Sequence, residues 1–244
     1  MIHLPELDTY TTKFTQCVFE PLHVIFHLRP NSRIVNYSPI HFDGLLARAV
    51  VSMATQGRLL QDAEEPYWIP LPLKTLWQSK EGLPLWAAST LQPLGNYVDD
   101  IYIRHKRNSE GFLHNKKKLV TRNGPWMERR LPTPVQVCDK YEAFCIGNAE
   151  HIEALLSQFA HIGKLRLGRV DKIEVIPTEF EEEQIWLKGY KLIKPLPIAA
   201  QLLEIWPCKP TLVGWTPPFW KPSLFSEGWA AGTFVNVFDW FKAV

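Results

Sequence analysis

Between Cys17 and Leu28 the apolar residues fall on alternate positions. Val18, Leu22, Val24, Phe26 and Leu28 share one face, and Phe19, His23, Ile25 and His27 share the other. A period of two marks a half-buried strand, and a strand with one apolar face needs a sheet beside it and a cover over that face. From Pro39 the period changes. Phe42, Leu45, Leu46, Ala49, Val50 and Met53 recur at the spacing of one helix face. Asp43 suits the first turn of that helix through the helix dipole, and Gly57 suits its end. His41 and Arg48 lie off the apolar stripe, which leaves them open to a ligand. His23 and His27 have H-x-x-x-H spacing, but in a strand they stand roughly 13 Å apart, too far to share a metal ion.

Further strands are predicted at Leu85 to Leu91, Val98 to Arg104 and Gln136 to Ile146. Asn148 is a good N-cap for a second helix with Ile152, Leu155, Leu156 and Phe159 on its apolar stripe, ending at Gly163. A last strand runs from Val170 to Ile176, stopped by Pro177. Strand, helix, strands, helix, strand is the order of an α+β, ferredoxin-like β-α-β-β-α-β core. We expect that core, with an insertion at about 104–134, to occupy residues 1–184. Residues 185–244 differ in kind: Trp206, Trp215, Trp220, Trp229 and Trp240 are broken up by Pro207, Pro210, Pro217, Pro218 and Pro222. Such an aromatic extension either covers the core or meets a partner.

Net charge is only +2, but its distribution is uneven. Arg104 to Arg130 holds nine Lys/Arg against two acids, Glu110 and Glu128, so the remainder of the chain is net acidic. One nucleic-acid-facing insertion on a mildly acidic body fits that split. A second cationic feature is Gly163-Lys164-Leu165-Arg166-Leu167-Gly168-Arg169-Val170, whose glycines allow left-handed backbone and close approach of a ligand. It is not an NTPase phosphate loop, because Arg169-Val170 follows Gly168 where Lys and a hydroxyl are required. Nor is it a dinucleotide fingerprint, since the order is helix, loop, strand. Cys17, Cys138, Cys145 and Cys208 form no C-x-x-C pair and read as reduced thiols rather than zinc ligands, with spacing alone leaving disulfides open. No apolar run is long enough for a membrane span, and no signal segment precedes Gln16. A cytoplasmic protein without metal or cofactor is the expectation.

The stretch Pro39-Ile40-His41-Phe42-Asp43-Gly44-Leu45-Leu46-Ala47 after a first strand, with the glycine-rich loop after a second helix, resembles the RAMP superfamily of CRISPR-associated proteins. The similarity covers residues 17–176 in outline and is strongest to the type IV effector subunit that caps the 5′ end of the guide RNA. The resemblance implies a non-catalytic subunit that binds the crRNA 5′ handle and touches the neighbouring backbone subunit. Its basic insertion, the thumb, would interrupt the guide–target duplex. A large subunit, target DNA and a helicase are the wider partners it implies. Residues expected at RNA are His41, Arg48, Arg104, Lys106, Arg107, Lys116, Lys117, Lys118, Arg122, Trp126, Arg129 and Arg130. The glycine loop adds Gly163, Lys164, Arg166, Gly168 and Arg169. Splayed single strands are gripped by cations on phosphate and aromatic planes on bases, which suits Trp126 between Gly124-Pro125 and Arg129-Arg130. Two alternatives stand beside this. One is a metal-independent endoribonuclease of the guide precursor using His41, His105 or His114. The other is a protein-interaction scaffold working through the aromatic extension.

Overall fold

The alternation that marks the first strand is realised, and the chain builds outward from it. The computed structural model describes residues 5–14, 17–35, 39–56, 69–106, 129–202, 209–219 and 224–235. In chain order the elements are α1 (Pro5–Thr11), β1 (Glu20–Leu28), β2 (Ile34–Val35), α2 (Phe42–Ala54), β3 (Thr75–Gln78), β4 (Pro84–Trp86) and β5 (Gln92–Pro93). Then come β6 (Val98–Lys106), β7 (Arg129–Val137), β8 (Lys140–Gly147), α3 (Ala149–Leu156), β9 (His161–Ile162) and β10 (Gly168–Pro177). The C-terminal part adds β11 (Leu187–Lys188), β12 (Lys191–Leu192), β13 (Leu196–Pro197), β14 (Thr211–Gly214) and β15 (Phe225–Trp229). The fold class is α+β, with antiparallel pairing throughout the described strands.

The central sheet has the order β5-β8-β1-β10-β9. Leu22, Val24 and Phe26 of β1 are fully buried, as are Ala143 and Cys145 of β8 and Phe42, Leu46 and Val50 of α2. They form one apolar core that also takes in Ile152, Leu155 and Leu156 of α3. Each large side chain buried this way contributes about 1.5–3 kcal/mol. Asn148 caps α3 as expected, its side chain accepting the His151 N–H at 3.0 Å. A second cluster forms around Leu85, Ile185, Leu196 and Trp215. There Trp215 donates to Ser226 Oγ at 2.8 Å and meets the Trp77 ring edge-on. No helix among the described residues is long and apolar enough to cross a membrane.

Five expectations need correction. The strand expected from Leu85 to Leu91 is only β4, paired with β3 apart from the central sheet, while Ala88 and Thr90 make single bridges to Cys145 and His41. The first strand begins at Glu20 rather than Cys17, and Val18 is exposed, because nothing pairs it into the ladder. The segment from Gln136 to Ile146 is two strands, not one: the chain turns at Cys138 and Asp139, so β7 leaves one sheet and β8 joins another. The second helix stops at Leu156, capped at Ser157, and β9 intervenes before Gly163. Pairing of Ile162 with Gly168 outcompetes a further helical turn there. Finally, Val98 to Arg104 does not enter the central sheet. Strand β6 pairs with β7 over nine residues from Val98↔Val137 to Lys106↔Arg129, in a separate three-stranded sheet of order β2-β7-β6. Most of the basic stretch, 107–128, lies outside the described residues.

Candidate nucleic-acid interface

The glycine loop is shaped by its own chain. Gly163 has φ +74°, and a Cβ there would sit 3.3 Å from Ile40 Cδ1. Gly168 is tighter: a Cβ would lie 2.3 Å from Ile34 Cδ1 and 2.7 Å from the Ile162 carbonyl oxygen. Between them Leu165 and Arg166 both adopt left-handed backbone, φ 62° and 54°. Such conformations cost roughly 1–3 kcal/mol each and persist only where neighbours impose them. The neighbours here are specific. Arg33 N–H donates to the Leu167 carbonyl at 3.2 Å, Arg29 N–H to the Arg169 carbonyl at 2.9 Å, and Val170 N–H to the Ala160 carbonyl at 2.9 Å. The close approach that the two glycines allow is thus taken up by Ile34 and Ile40, and the turn exposes Lys164, Leu165 and Arg166 to solvent.

Arg166 borders a recess of about 270 Å³ beside α2. Helix α2 contributes Arg48 and Ser52, the segment after α3 contributes Gln158 and His161, and the loop contributes Gly163 and Arg166. Two guanidinium groups and an imidazole meet there with no carboxylate in the lining. Among the described residues no carboxylate forms an ion pair with Arg48 or Arg166. Guanidiniums without a described carboxylate partner, set at a concave surface, attract a phosphate, which guanidinium binds in bidentate fashion. Sequence reasoning had singled out Arg48, Gly163 and Arg166 separately, and the fold brings them together. It missed His161, whose only signal was its place two residues before the first glycine.

The loop is physically joined to the ribbon of β6 and β7 by Arg33 and Ile34. While the Arg33 backbone holds Leu167, its guanidinium lies over the Tyr102 ring at 5.7 Å, with Nε 3.9 Å from Asp100 Oδ2. Ile34 packs on Gly168 and pairs with Gln136 of β7. Arg104 and Arg130 are exposed on this ribbon, on opposite faces, since Arg104 pairs with Leu131 and Arg130 with the next residue along. Lys106 and Arg129 form its last described pair. Arg107, Lys116, Lys117, Lys118, Arg122 and Trp126 lie outside the described residues, as does His114. Arg29 and Arg33, four apart after β1, are cations that the sequence reading passed over.

His41 occupies a different setting. Its ring stacks on Phe219 with centroids 3.8 Å apart and planes at 19°. Burial, reinforced by the Lys194 charge, pulls its pKa down from 6.5 to about 3, so the imidazole is neutral at physiological pH. Next to it Asp43 and Lys194 form a fully buried ion pair at 2.6 Å. The Lys194 ammonium also donates to the carbonyls of Trp86 and Ala88 at 3.0 and 2.8 Å, and Asp43 accepts the Gly44 N–H at 2.9 Å. Burial pushes the Asp43 carboxyl up, and Lys194 with the Gly44 N–H opposes it. Gly44 leaves room for Phe219, which a Cβ would meet at 3.1 Å. The segment from His41 to Gly44 therefore fastens the C-terminal part of the chain to α2. The pair His23–Glu142, at 3.0 Å, and His27–Glu174, at 3.3 Å, gives each strand histidine a carboxylate partner of its own. Among the described residues no group of His, Cys, Asp and Glu is placed to hold a metal ion.

A family model described as CRISPR type IV associated protein Csf3 matches residues 96–227, more than half of the chain. The matched span runs from the start of the ribbon through the glycine loop to β15, leaving Arg48 and His41 outside it. No curated protein matches the chain.

Proposed function

The chain belongs to the CRISPR type IV associated Csf3 family, and from that premise we propose that it is a non-catalytic subunit which binds and caps the 5′ handle of the guide RNA. The observation that carries this reading is the convergence of Arg48 and Arg166 on one recess, beside a loop tied through Arg33 to the ribbon that leads into the basic stretch. A phosphate of the handle sits between the two guanidiniums, and Lys164 and Arg169 hold the phosphates on either side. The backbone continues along the basic stretch from Arg104 to Arg130, which serves as the thumb that interrupts the guide–target duplex. His41 supports this surface from beneath α2 as a packing group.

The strand order supports a ferredoxin-like core in the same reading. Strands β1 and β5, joined through α2, flank β8; strands β8 and β10, joined through α3, flank β1. Two crossovers, each spanning one inserted strand, make the split β-α-β-β-α-β arrangement. The C-terminal aromatic part then covers the core through Lys194 and Phe219, leaving its outer side for the backbone subunit.

The test is binding of repeat-derived RNA followed by fluorescence anisotropy across a salt series. Arg48→Glu with Arg166→Glu should weaken binding at least roughly tenfold, the order of magnitude of one lost charged hydrogen bond, and reduce the salt slope. Unchanged affinity and slope would remove the recess from the interface. One defined cut in the RNA in the presence of chelator would replace the non-catalytic reading with the endoribonuclease.

A further inference from the structure

Strand β6 is the outer strand of its sheet, and among the described residues nothing pairs with its free edge. The two edges of the β6–β7 ribbon are built differently. On β7, Pro132 and Pro134 sit opposite Ile103 and Ile101. In an antiparallel ladder alternate amides point away from the partner, and the Ile101 amide, opposite Pro134, bonds the carboxylate beside it rather than β7, so the backbone of 132 and 134 likewise faces away from β6. Both prolines thus remove donors from the outer edge of β7, a common guard against strand addition. The edge of β6 has no such guard. Its outward amide at Ile101 is met only by the carboxylate beside it, Asp100 Oδ1, at 2.7 Å. Ile101 and Ile103 are 63% and 50% exposed and form an apolar ladder with the two prolines. Exposed apolar edges of this kind are association surfaces.

What the edge accepts is written in the order of its charges. We propose that β6 pairs with β6 of a second copy of this chain, antiparallel about Tyr102. In that register Tyr102 faces its own counterpart, Ile101 faces Ile103, and Asp100 faces Arg104. Outward-pointing Ile101 and Ile103 exchange backbone hydrogen bonds, and Asp100 exchanges its own neighbour's amide at 2.7 Å and the longer contact to Arg33 Nε at 3.9 Å for the guanidinium of the second copy. Opposite charges directly across a ladder stabilise it and like charges destabilise it. A two-fold interface requires this self-complementarity, and the strand meets the requirement at both ends at once. Any other strand would have to bring a basic residue to Asp100 and an acidic one to Arg104.

Sedimentation of the full chain without RNA, over a broad concentration series, tests this. The expected result is a reversible species of twice 28.2 kDa. Asp100→Arg alone and Arg104→Asp alone should each give a monomer, by facing like charges, and the double exchange should restore the dimer. Tyr102→Cys should form a reducible cross-linked dimer on mild oxidation, above the wild-type background, with circular dichroism confirming the fold of each variant. A folded wild type that stays monomeric at every concentration overturns the proposal. So does a dimer indifferent to the single exchanges, or one that Tyr102→Cys does not cross-link. A monomer that instead binds a different protein through β6 overturns it as well.

Discussion

Helix α2 carries two charged residues five positions apart, and the molecule treats them in opposite ways. Asp43 is fully buried, with Lys194 and the Gly44 amide as partners. Arg48 is exposed and faces the recess without a described carboxylate partner. The contrast separates two kinds of polar residue. A charge withdrawn from water is kept by saturating every hydrogen-bonding position around it and then serves the fold. A charge left in water beside a concave surface retains its capacity for a ligand. The stretch from Pro39 to Ala47 that carries the family resemblance contains the first kind, and the residue with ligand-facing geometry falls just beyond it.

The largest expected effect breaks the comparison at Asp43. Asp43→Ala strands the Lys194 ammonium in the core and should lower stability by about 3–5 kcal/mol in urea denaturation, while Asp43→Leu with Lys194→Met should regain most of that. Arg48→Ala serves as the contrast and should shift the midpoint by no more than about 0.5 kcal/mol. If the two single changes cost the same, buried and exposed charge are not distinct classes in this helix. A smaller effect sharpens the comparison at the loop. Gly168→Ala drives a methyl into Ile34 and the Ile162 carbonyl and should cost about 1–3 kcal/mol by the same assay. The smallest effect concerns His41. Its folded pKa of about 3 lies below 6.5, so as pH falls the unfolded chain takes up a proton first. Its neutrality therefore stabilises the fold fully above pH 6.5, and that contribution is lost progressively as pH drops toward 3. Denaturation midpoints should fall between pH 7 and pH 5, and His41→Phe, which keeps a ring against Phe219, should flatten that fall.

Local periodicity made the central elements legible. The alternation read from Cys17 to Leu28, the stripe read from Phe42 to Met53 and the Asn148 cap each depend on neighbours within a few residues; the cap is present, the alternation holds from Leu22 on, and the stripe holds to Val50 while Met53 is exposed. The recess was half legible, because Arg48 and the glycine loop stand out individually while their meeting depends on how α2 and α3 pack. Long-range partners left no trace. Nothing near Asp43 announces Lys194, 151 residues away. The two-residue strand β2 is too short to show a period, yet it carries Ile34, which fits both glycines, and joins the loop to the ribbon. Strand β7 begins seven residues before the strand expected from Gln136, and its Pro132 and Pro134 occupy positions where no amide is needed toward β6.

The ion pair between Asp43 and Lys194 also sets a timetable. At roughly 5–20 residues per second a ribosome reaches Lys194 about 8 to 30 seconds after Asp43. Throughout that interval α2 carries an unanswered carboxylate on a surface destined for the interior. The nascent chain must therefore keep α2 hydrated or shielded until the segment between β12 and β13 brings Lys194 to it and closes the core.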